Sequence, residues 1–446
     1  MNRLLNNLKR TNFEMPIFIG KTLNFIPFNY RPGIYKLYNS QSKRIIEYEQ
    51  YSSDKKKEYI FSQFYKVFEH AYKKIPFYHE LYKNHGIALR DIRSFDDIRN
   101  VPIVRKKDLL NVNISDRSYP LKNRLLVNTG GSSGAALKFY IDPIRYGNEW
   151  AHIHSFWKLL GYQPHDLKIT FDGRSSVRNF IQYDFVRNSL RLDINAPTER
   201  VQMKLLKILS TYEVRYLHGY PSAISNFASQ CKNNTELINV LQRTLKGVFL
   251  SSEYPSPHYR NNIESVFNVK TQSFYGHTEG CVMAFETSKY QFKTLNTYGY
   301  AEGMKNETGQ VELIGTSYYN YASPFIRYST EDLIDGNSEE ILESFQIKDG
   351  RIGEYIIDKY GNRISLTGLL FGRHHKLFNM CSHIQIGSNL PGTAIVYYVS
   401  TEDFSNANEY FDARNVNIDF SFVKLEKPII NSSGKINFLI NKFEQN

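Results

Sequence analysis

The sequence is organised around a glycine-rich stretch, NTGGSSGAALKFY, which runs from Asn128 to Tyr140. Its glycines are interleaved with threonine and serine, and glycine permits positive φ and a close approach of a ligand to the backbone. Backbone N–H groups in such a loop can form a concave anion site. The apolar run RLLV before it and the apolar–polar alternation after it predict that the loop joins two strands.

The residues of this loop exclude one motif and leave one simpler alternative open. No Gly-Lys-Ser/Thr follows it and no helix opens directly after it, so it is not a Walker A motif. An ordinary glycine-rich hairpin loop is the alternative that the stretch alone favours, because short motifs produce many false positives. The rest of the chain has to decide between a simple turn and an anion site.

Length and composition indicate a multidomain globular protein. A chain of 446 residues is too long for one compact core, and its 41% hydrophobic and 22% charged residues are typical of a soluble protein. The three cysteines, Cys231, Cys281 and Cys381, lie far apart and lack metal-ligand spacing. We therefore expect no disulfide framework and a cytoplasmic location.

The charge balance restricts the classes of partner. The net charge of +12 favours anionic ligands, but the basic residues are spread along the chain and form no long tract or RNA-binding signature, so no nucleic-acid partner is expected. No run approaches the roughly 20 apolar residues of a transmembrane segment. The apolar patch MPIFIG at 15–20 leaves a peripheral membrane contact open, although packing on the domain is the favoured interpretation.

The order of predicted elements indicates an α/β fold class. Strand-like runs such as LKITF (167–171) and GVFL (247–250) alternate with helical segments as far as residue 280, which predicts much parallel sheet. From about residue 292 the chain is β-rich with regular turns. We expect a large N-terminal domain over 1–372 with a β-rich subdomain, and a small mobile α+β C-terminal domain over 373–446.

Several segments together resemble one enzyme family. The glycine loop resembles the phosphate-binding signature Thr-Ser-Gly-Ser-Thr-Gly-x-Pro of the adenylate-forming enzymes, and AYKKIPFYHELYKNHGI and SFDDIRNVPIVRKKDLL resemble the phenylacetate–CoA ligase-like branch, especially its capsular-polysaccharide members. Further segments occur in the family's order: HGYPSAI (218–224), GVFLSSE (247–253), FYGHTEG (274–280), GQVELIGTS with PFIRYSTEDL (309–333), Gly372-Arg373 and SSGK (432–435). The resemblance covers nearly the whole chain.

This resemblance implies an activity. Such enzymes join a carboxylic acid to the α-phosphate of ATP and then pass the acyl group from AMP to a thiol or an amine. Expected cofactors are ATP or AMP, Mg²⁺ and CoA, and the expected acceptor is CoA, a carrier-protein thiol or an amine. Surface polysaccharide biosynthesis is the setting that the resemblance suggests.

The resemblance also assigns roles to individual residues. Thr278 would touch the α-phosphate, Glu279 would hold Mg²⁺, and Lys435 would bridge the carboxylate and the α-phosphate when the small domain swings it in. Taken alone, Glu279 is equally a surface loop acid and Lys435 a solvated lysine. The residues expected to bind the cofactor are Thr129, Gly130, Gly131, Ser132, Ser133 and Gly134 around the β- and γ-phosphates, Tyr275 and Gly276 at adenine, Asp332 at the ribose, Arg373 at the hinge, and Ser252 and Glu253.

Some positions depart from the family's pattern. Ala136 replaces a proline of the glycine loop, Glu331 replaces the glycine before the ribose-binding aspartate, and His374-His375-Lys376 follows Gly-Arg where acidic residues are usual. These departures motivate one alternative, a nucleotide-binding member without turnover. A basic nucleic-acid or membrane-surface binder is a second alternative, which rests on the net charge alone.

Overall fold

A computed structural model describes most of the chain. It covers residues 15–34, 36–129, 137–172, 177, 179–194, 196–307, 309–335, 339–348, 355–366, 369–370, 373, 375–381, 383–400, 406–429 and 438–440. Within these ranges, none of the helices has both the length and the apolar character needed to cross a bilayer.

Helices form the N-terminal part of the chain. Helix α3 carries the apolar face expected from its sequence, with Ile60, Phe64 and Phe68 fully buried. It begins at Ser53 because the Ser52 hydroxyl accepts the Lys55 N–H, and it ends before Pro76, which opens the next helix. Among the described residues of this part, the helices are α1 (Ile17–Thr22), α2 (Leu37–Glu49), α3 (Ser53–Lys74), α4 (Pro76–Asn84) and α5 (Lys106–Leu110).

The glycine-rich stretch joins two strands, as predicted. β1 (Leu125–Asn128) pairs antiparallel with β2 (Lys138–Ile141), and Asn128 lies opposite Lys138. At the neck of the loop the Thr129 N–H donates to the Leu137 carbonyl over 2.9 Å, and the Leu137 N–H donates to Thr129 Oγ1 over 3.1 Å. Residues 130–136 between them lie outside the described residues.

A parallel sheet with alternating helices follows, which confirms the predicted α/β class. Five strands are parallel in the order β8-β7-β6-β3-β5, and β4 closes the edge antiparallel to β5. The elements are α6 (Arg145–Trp157), β3 (Lys168–Asp172), β4 (Ile181–Asp184), β5 (Ser189–Asp193), α7 (Thr198–Leu209), β6 (Tyr216–Gly219), α8 (Pro221–Cys231), α9 (Thr235–Thr244), β7 (Gly247–Leu250), α10 (Pro257–Phe267) and β8 (Thr271–Gly276).

The β-rich part continues the same sheet. β8 pairs parallel with β7 on one side and antiparallel with β9 on the other, so the twelve strands continue in the order β8-β9-β10-β14-β13-β12-β11. β8 is therefore the junction between the parallel and antiparallel halves. The added strands are β9 (Met283–Ser288), β10 (Gln291–Thr294), β11 (Gly299–Lys305), β12 (Val311–Ser317), β13 (Tyr328–Asp335) and β14 (Ser344–Ile347).

The C-terminal part has a sheet and a core of its own. Four strands lie in the order β19-β18-β17-β20, after a hairpin of β15 (Tyr355–Ile357) and β16 (Arg363–Ser365). Ile356 and Ile364 of the hairpin share one hydrophobic cluster with Ile384 and Val396, so this core begins upstream of residue 373. The four strands are β17 (His383–Gly387), β18 (Thr393–Val399), β19 (Asp419–Leu425) and β20 (Leu439–Ile440).

Candidate active site

The candidate site lies at the carboxyl edge of the parallel strands. Successive strands end there in polar segments: His218-Gly219-Tyr220 after β6, Ser251-Ser252-Glu253 after β7, and Tyr275 to Glu279 at the end of β8. Parallel strands direct their carboxyl ends to one edge, which is where ligands bind in open α/β sheets. The topology therefore gathers three of the motif segments that are distant in sequence.

Tyr275 and Asp332, the residues expected at adenine and ribose, are in direct contact. The Tyr275 hydroxyl donates to Asp332 Oδ2 over 2.5 Å and so joins the end of β8 to β13. The edge of the Tyr275 ring packs against Phe345, with 5.5 Å between the ring centroids. Burial, together with the Asp332 charge, raises the pKa of Tyr275 well above its ordinary value, so the hydroxyl remains a donor.

The loop after β8 holds the carboxylate of Glu279. His277 Nδ1 lies 3.2 Å from Glu279 Oε2, and the Tyr328 hydroxyl donates to Oε1 over 3.3 Å. The Val282 N–H donates to His277 Nε2 over 3.1 Å, so in the neutral imidazole the proton is on Nδ1. His277 therefore donates to Glu279, and both carboxylate oxygens have a partner.

These contacts keep Glu279 ionised. Burial alone would raise the pKa of this carboxyl, but the hydrogen bond and charge of His277 and the charge of Lys106 outweigh it, and the pKa lies below the ordinary 4.5. The site thus presents a buried carboxylate that carries its negative charge at neutral pH.

Lys106 is a part of the site that the sequence did not reveal. It is buried at the start of α5, and its positive charge acts to lower the pKa values of Glu279, Glu331 and His383 of β17. Its charge thus influences groups of both the twelve-stranded sheet and the C-terminal sheet. Lys106 stands between Arg105 and Lys107, and only the tertiary packing distinguishes it from these two neighbours.

Arg145 of α6 fixes the backbone of the same loop. Its guanidinium donates to the Thr278 carbonyl over 2.7 Å and to the Glu279 carbonyl over 3.3 Å. Gly280 follows with φ of +72°, and a Cβ atom built there would lie 2.9 Å from Arg145 Nη1. Glycine is therefore required both by the left-handed backbone and by the approach of the arginine.

The two predicted site residues after β7 differ in exposure. Ser252 is exposed and adopts a left-handed backbone with φ of +68°. Glu253 is buried, and its carboxylate accepts the Ser222 N–H and the Ser222 hydroxyl, each over 3.0 Å, at the start of α8. Glu253 thereby ties the end of β7 to a helix N-terminus, where a negative charge is favourable.

Glu331, which stands where the family has glycine, keeps a glycine-like backbone. Its φ is +63°, and its N–H donates to Ser329 Oγ over 3.2 Å. The next N–H, of Asp332, donates to Thr330 Oγ1 over 3.2 Å. The bend that presents Asp332 is therefore retained, although a residue with a side chain occupies the left-handed position.

Arg373 contacts the C-terminal segment. Its Nη1 donates to the carbonyls of Asp412, over 3.1 Å, and Arg414. Burial lowers the pKa of Arg373, and the charge of Asp193, at the end of β5, partly offsets this shift. The Asp193 carboxylate also accepts a hydrogen bond from Asn415 Nδ2 over 3.3 Å. Arg373 thus lies where the C-terminal segment meets the carboxyl edge of the large sheet.

His375, beside Arg373, is a packing residue. Its ring stacks on Phe411 with 4.0 Å between centroids, the Asp412 N–H donates to Nδ1, and Nε2 lies 2.7 Å from the Leu369 carbonyl. Both ring nitrogens are therefore engaged with the backbone.

Several predicted residues lie outside the described part of the chain. Gly276 and Thr278 are exposed beside Tyr275 and Glu279, and Thr129 is buried at the neck of the glycine loop. The remaining predicted site residues, Gly130, Gly131, Ser132, Ser133, Gly134 and Lys435, fall on residues that the structure does not describe.

The residues present fit a magnesium ion that is held mainly by phosphate. Mg²⁺ usually takes one or two carboxylates and completes its shell with phosphate oxygens and water. Glu279 is a buried carboxylate in its ionised form, which meets that requirement. Within the described ranges, no three His, Cys, Asp or Glu side chains group into a protein-only metal site.

Comparisons with known proteins agree with this architecture. No protein-family model matches the chain. The chain is 25% identical over 305 residues to protein CapK of Staphylococcus aureus, and the match spans 66% of each protein, just under two thirds of CapK.

Solved structures of 2-hydroxyisobutyryl-CoA ligase share the fold. The postadenylation state with R3-HIB-AMP aligns with a TM-score of 0.52 at 16% identity, over 87% of this chain and 90% of that one. The thioesterification state with 2-HIB-AMP and CoA aligns with a TM-score of 0.53 at 17% identity and the same coverage. The resemblance that the motifs indicated is confirmed: this chain has the fold of the adenylate-forming acyl-CoA ligases and is similar in sequence to CapK.

Proposed function

We propose that this protein is an adenylate-forming ligase that activates a carboxylic acid with ATP and transfers the acyl group to CoA. One observation carries the proposal. Tyr275, Asp332 and the ionised Glu279 meet at the carboxyl edge of the parallel strands, in the order and spacing of the motifs that suggested the activity.

The first half-reaction would form an acyl-adenylate. A carboxylate oxygen attacks the α-phosphorus of ATP, the bond from that phosphorus to the bridging oxygen breaks, and pyrophosphate leaves. Negative charge gathers on the phosphoryl oxygens, so positioned donors and cations supply most of the catalysis. Thr278, the glycine loop of Gly130 to Gly134 and Lys435 are the proposed donors, and Glu279 the proposed Mg²⁺ ligand.

Lys106 belongs in this proposal because of its charge and its position. It is a buried cation close enough to Glu279 to lower the pKa of that carboxyl. A cation beside the carboxylate that would hold Mg²⁺ would also attract the phosphates. Its charge also contributes to the lowered pKa of His383, in the C-terminal sheet.

The second half-reaction would transfer the acyl group. The sulfur of CoA attacks the acyl carbon, the bond from that carbon to the AMP oxygen breaks, and the thiol proton goes to solvent. We propose that a small C-terminal domain, expected from the sequence over 373–446 and sharing its core with the β15–β16 hairpin, moves against the large domain between the two steps. Transfer to a carrier-protein thiol or an amine, and a setting in surface polysaccharide biosynthesis, which the similarity to CapK suggests, belong to the same proposal.

ATP–pyrophosphate exchange with a panel of aryl, hydroxy, amino and short-chain acids tests the activity. Exchange that depends on one acid would support adenylation and identify the substrate. In Lys435→Ala we expect exchange to be lost, whereas Lys427→Ala, which removes an exposed lysine from the same part of the chain, should leave it unchanged. Full exchange in Lys435→Ala would contradict the proposal.

A nucleotide-binding protein without turnover is the second candidate. The side chain at the strained position 331 and the packed His375 favour it, because Glu331 replaces the family's glycine before the ribose-binding aspartate and His375 follows Gly-Arg where acidic residues are usual. Binding of ATP without exchange for any acid in the panel would favour this candidate over the ligase.

A further inference from the structure

The N-terminal segment from Met15 to Ile46 carries an aromatic surface that the proposed ligase site does not use. Phe18, Phe25 and Tyr30 are 62%, 80% and 67% exposed. Among the described residues, Tyr360 is the one other aromatic side chain with comparable exposure. Three of the most exposed aromatic rings thus lie within thirteen consecutive residues, 18–30.

The other side of this segment is firmly attached to the large domain. Gly20 packs on Tyr183 of β4, where an added Cβ atom would lie 2.1 Å from the ring. Phe28 is buried against Tyr38 and His154, with ring centroids 5.1 and 4.5 Å away. The aromatic side chains therefore point outward from an anchored segment, and their exposure follows from the packing of the opposite face.

Backbone carbonyls of this segment are held by one arginine. The buried guanidinium of Arg31 donates to the carbonyls of Asn24 and Val186, each over 3.1 Å, and to that of Ile26 over 3.2 Å. These bonds tie the turns that present Phe25 and Tyr30 to the loop after β4. The surface is therefore built into the fold.

Helical spacing places two of the rings on one face. Phe18, Thr22 and Phe25 are separated by four and then three residues along α1 and the three-ten turn that continues it. Residues at these spacings are neighbours on a helix surface. Lys21 lies at the rim, with its ammonium 5.6 Å from the centre of the Tyr212 ring.

The charge of the segment has a single sign. Between Met15 and Ile46 there is no aspartate or glutamate. Arg31 is occupied with backbone carbonyls and Arg44 lies 3.5 Å from Glu47, whereas Lys36 and Lys43 are exposed. The segment contains five basic residues, namely Lys21, Arg31, Lys36, Lys43 and Arg44.

We propose that this segment docks the protein on an anionic phospholipid surface. Aromatic rings on one face, with exposed lysines in the same segment, are the composition of interfacial membrane segments, in which rings enter the headgroup region and cations attract lipid phosphates. The absence of any acid between Met15 and Ile46 is the charge complementarity that selects an anionic lipid. The segment packs on the edge strand β4, five positions from β8 in the sheet, so the inference does not depend on the proposed ligase activity.

Co-sedimentation of the full chain with vesicles tests this inference. We expect binding to phosphatidylcholine vesicles that contain phosphatidylglycerol, weaker binding as salt increases, and little binding to phosphatidylcholine alone. Phe18→Ser with Phe25→Ser should lower the partition coefficient by about tenfold or more. Lys36→Glu with Lys43→Glu should weaken binding to the anionic vesicles only.

Matched variants separate this effect from misfolding. Tyr360→Ser with Leu390→Ser removes side chains of similar exposure, 76% and 68%, from the C-terminal part and should leave vesicle binding unchanged. Circular dichroism should show the same thermal unfolding for the Phe18/Phe25 variant and the parent chain. No binding to anionic vesicles, or equal loss in the Tyr360/Leu390 variant, would overturn the inference, as would a specific acidic protein binding this surface while vesicles do not.

Discussion

Two glutamates both interact with the charge of Lys106, but the fold shifts their pKa values in opposite directions. Glu279, in the loop after β8, has a pKa below its ordinary value, and Glu331, in the bend of β13, has a pKa above it. Desolvation raises the pKa of both. Glu279 gains the hydrogen bond from His277, whereas at Glu331 desolvation, together with the like charges of Glu312 and Asp332, outweighs the attraction of Lys106 and Arg105.

The two regions also differ in backbone conformation, because the left-handed residue is a glycine in one and a glutamate in the other. In the loop after β8 the left-handed position falls on Gly280, which leaves Glu279 unstrained and allows Arg145 to approach. In the bend of β13 the left-handed position falls on Glu331 itself. A nearby lysine therefore does not by itself lower the pKa of a buried carboxyl, whereas a hydrogen-bond donor to the carboxylate does. The following predictions test whether that difference also separates the proposed roles of the two glutamates.

The largest effect should follow from neutralising the two carboxylates separately. Glu279→Gln keeps the shape of the side chain but removes the charge that would hold Mg²⁺, and we expect ATP–pyrophosphate exchange to fall by roughly a hundredfold or more. Glu331→Gln is the matched control and should retain exchange within about twofold. Equal losses in both variants would remove the distinction between the two regions.

A smaller effect is expected from Lys106→Met. Loss of a buried cation beside the phosphates should lower exchange by about tenfold. Because Lys106 lowers the pKa of Glu279, its removal raises that pKa, and the ionised form is then lost at a higher pH. The acidic limb of the pH–exchange profile should therefore move to higher pH, and Lys107→Met should leave it in place.

His277→Ala should change the pH profile more than the rate at its optimum. The hydrogen bond from His277 favours the ionised carboxylate of Glu279, so its loss raises the pKa and moves the acidic limb to higher pH. Tyr328→Phe removes the longer bond of 3.3 Å and should move the limb less. An unchanged profile in His277→Ala would contradict the role of this histidine.

The smallest effect concerns stability. Glu331→Gly relieves a left-handed backbone and should stabilise the fold by about 1 kcal/mol, measured as a higher melting temperature. Glu307→Gly, at an exposed position outside the left-handed region, should give no gain.

The stability gain at position 331 should also depend on pH. The folded pKa of Glu331 is raised, so its ionised form destabilises the fold at pH values above that pKa. This cost is absent below the ordinary pKa of 4.5, where the carboxyl is protonated in both folded and unfolded states. The pH-dependent part of the gain should therefore vanish in acid, while the backbone part remains.

Local pattern was sufficient for the elements with strong periodicity. Alternation around the glycine loop predicted a strand on either side of it, and both strands are present. Helix α9 was not among the predicted elements. The polar run Lys232–Thr235 contains the N-cap of this helix, since the Asn234 side chain accepts the Leu237 N–H. A capping role of this kind is recognised only once the following residues are known to be helical.

The residues of the apolar patch MPIFIG divide between the core and the surface. Met15 and Ile17 pack against the core, as favoured from the sequence, whereas Phe18 and Ile19 point outward. Composition cannot separate these residues, because the separation depends on which face of a short helix meets β4. All three cysteines are buried.

The fold class and the segments of the candidate site could be predicted before the structure was known, because strand and helix periods and the order of the motifs are properties of the chain. Folding was needed to show that Tyr275 reaches Asp332, that His277 donates to Glu279, and that Lys106 is buried while its neighbours are not. Burial and ionisation depend on residues far apart in the chain. They become defined only when the parallel and antiparallel halves of the sheet meet at β8.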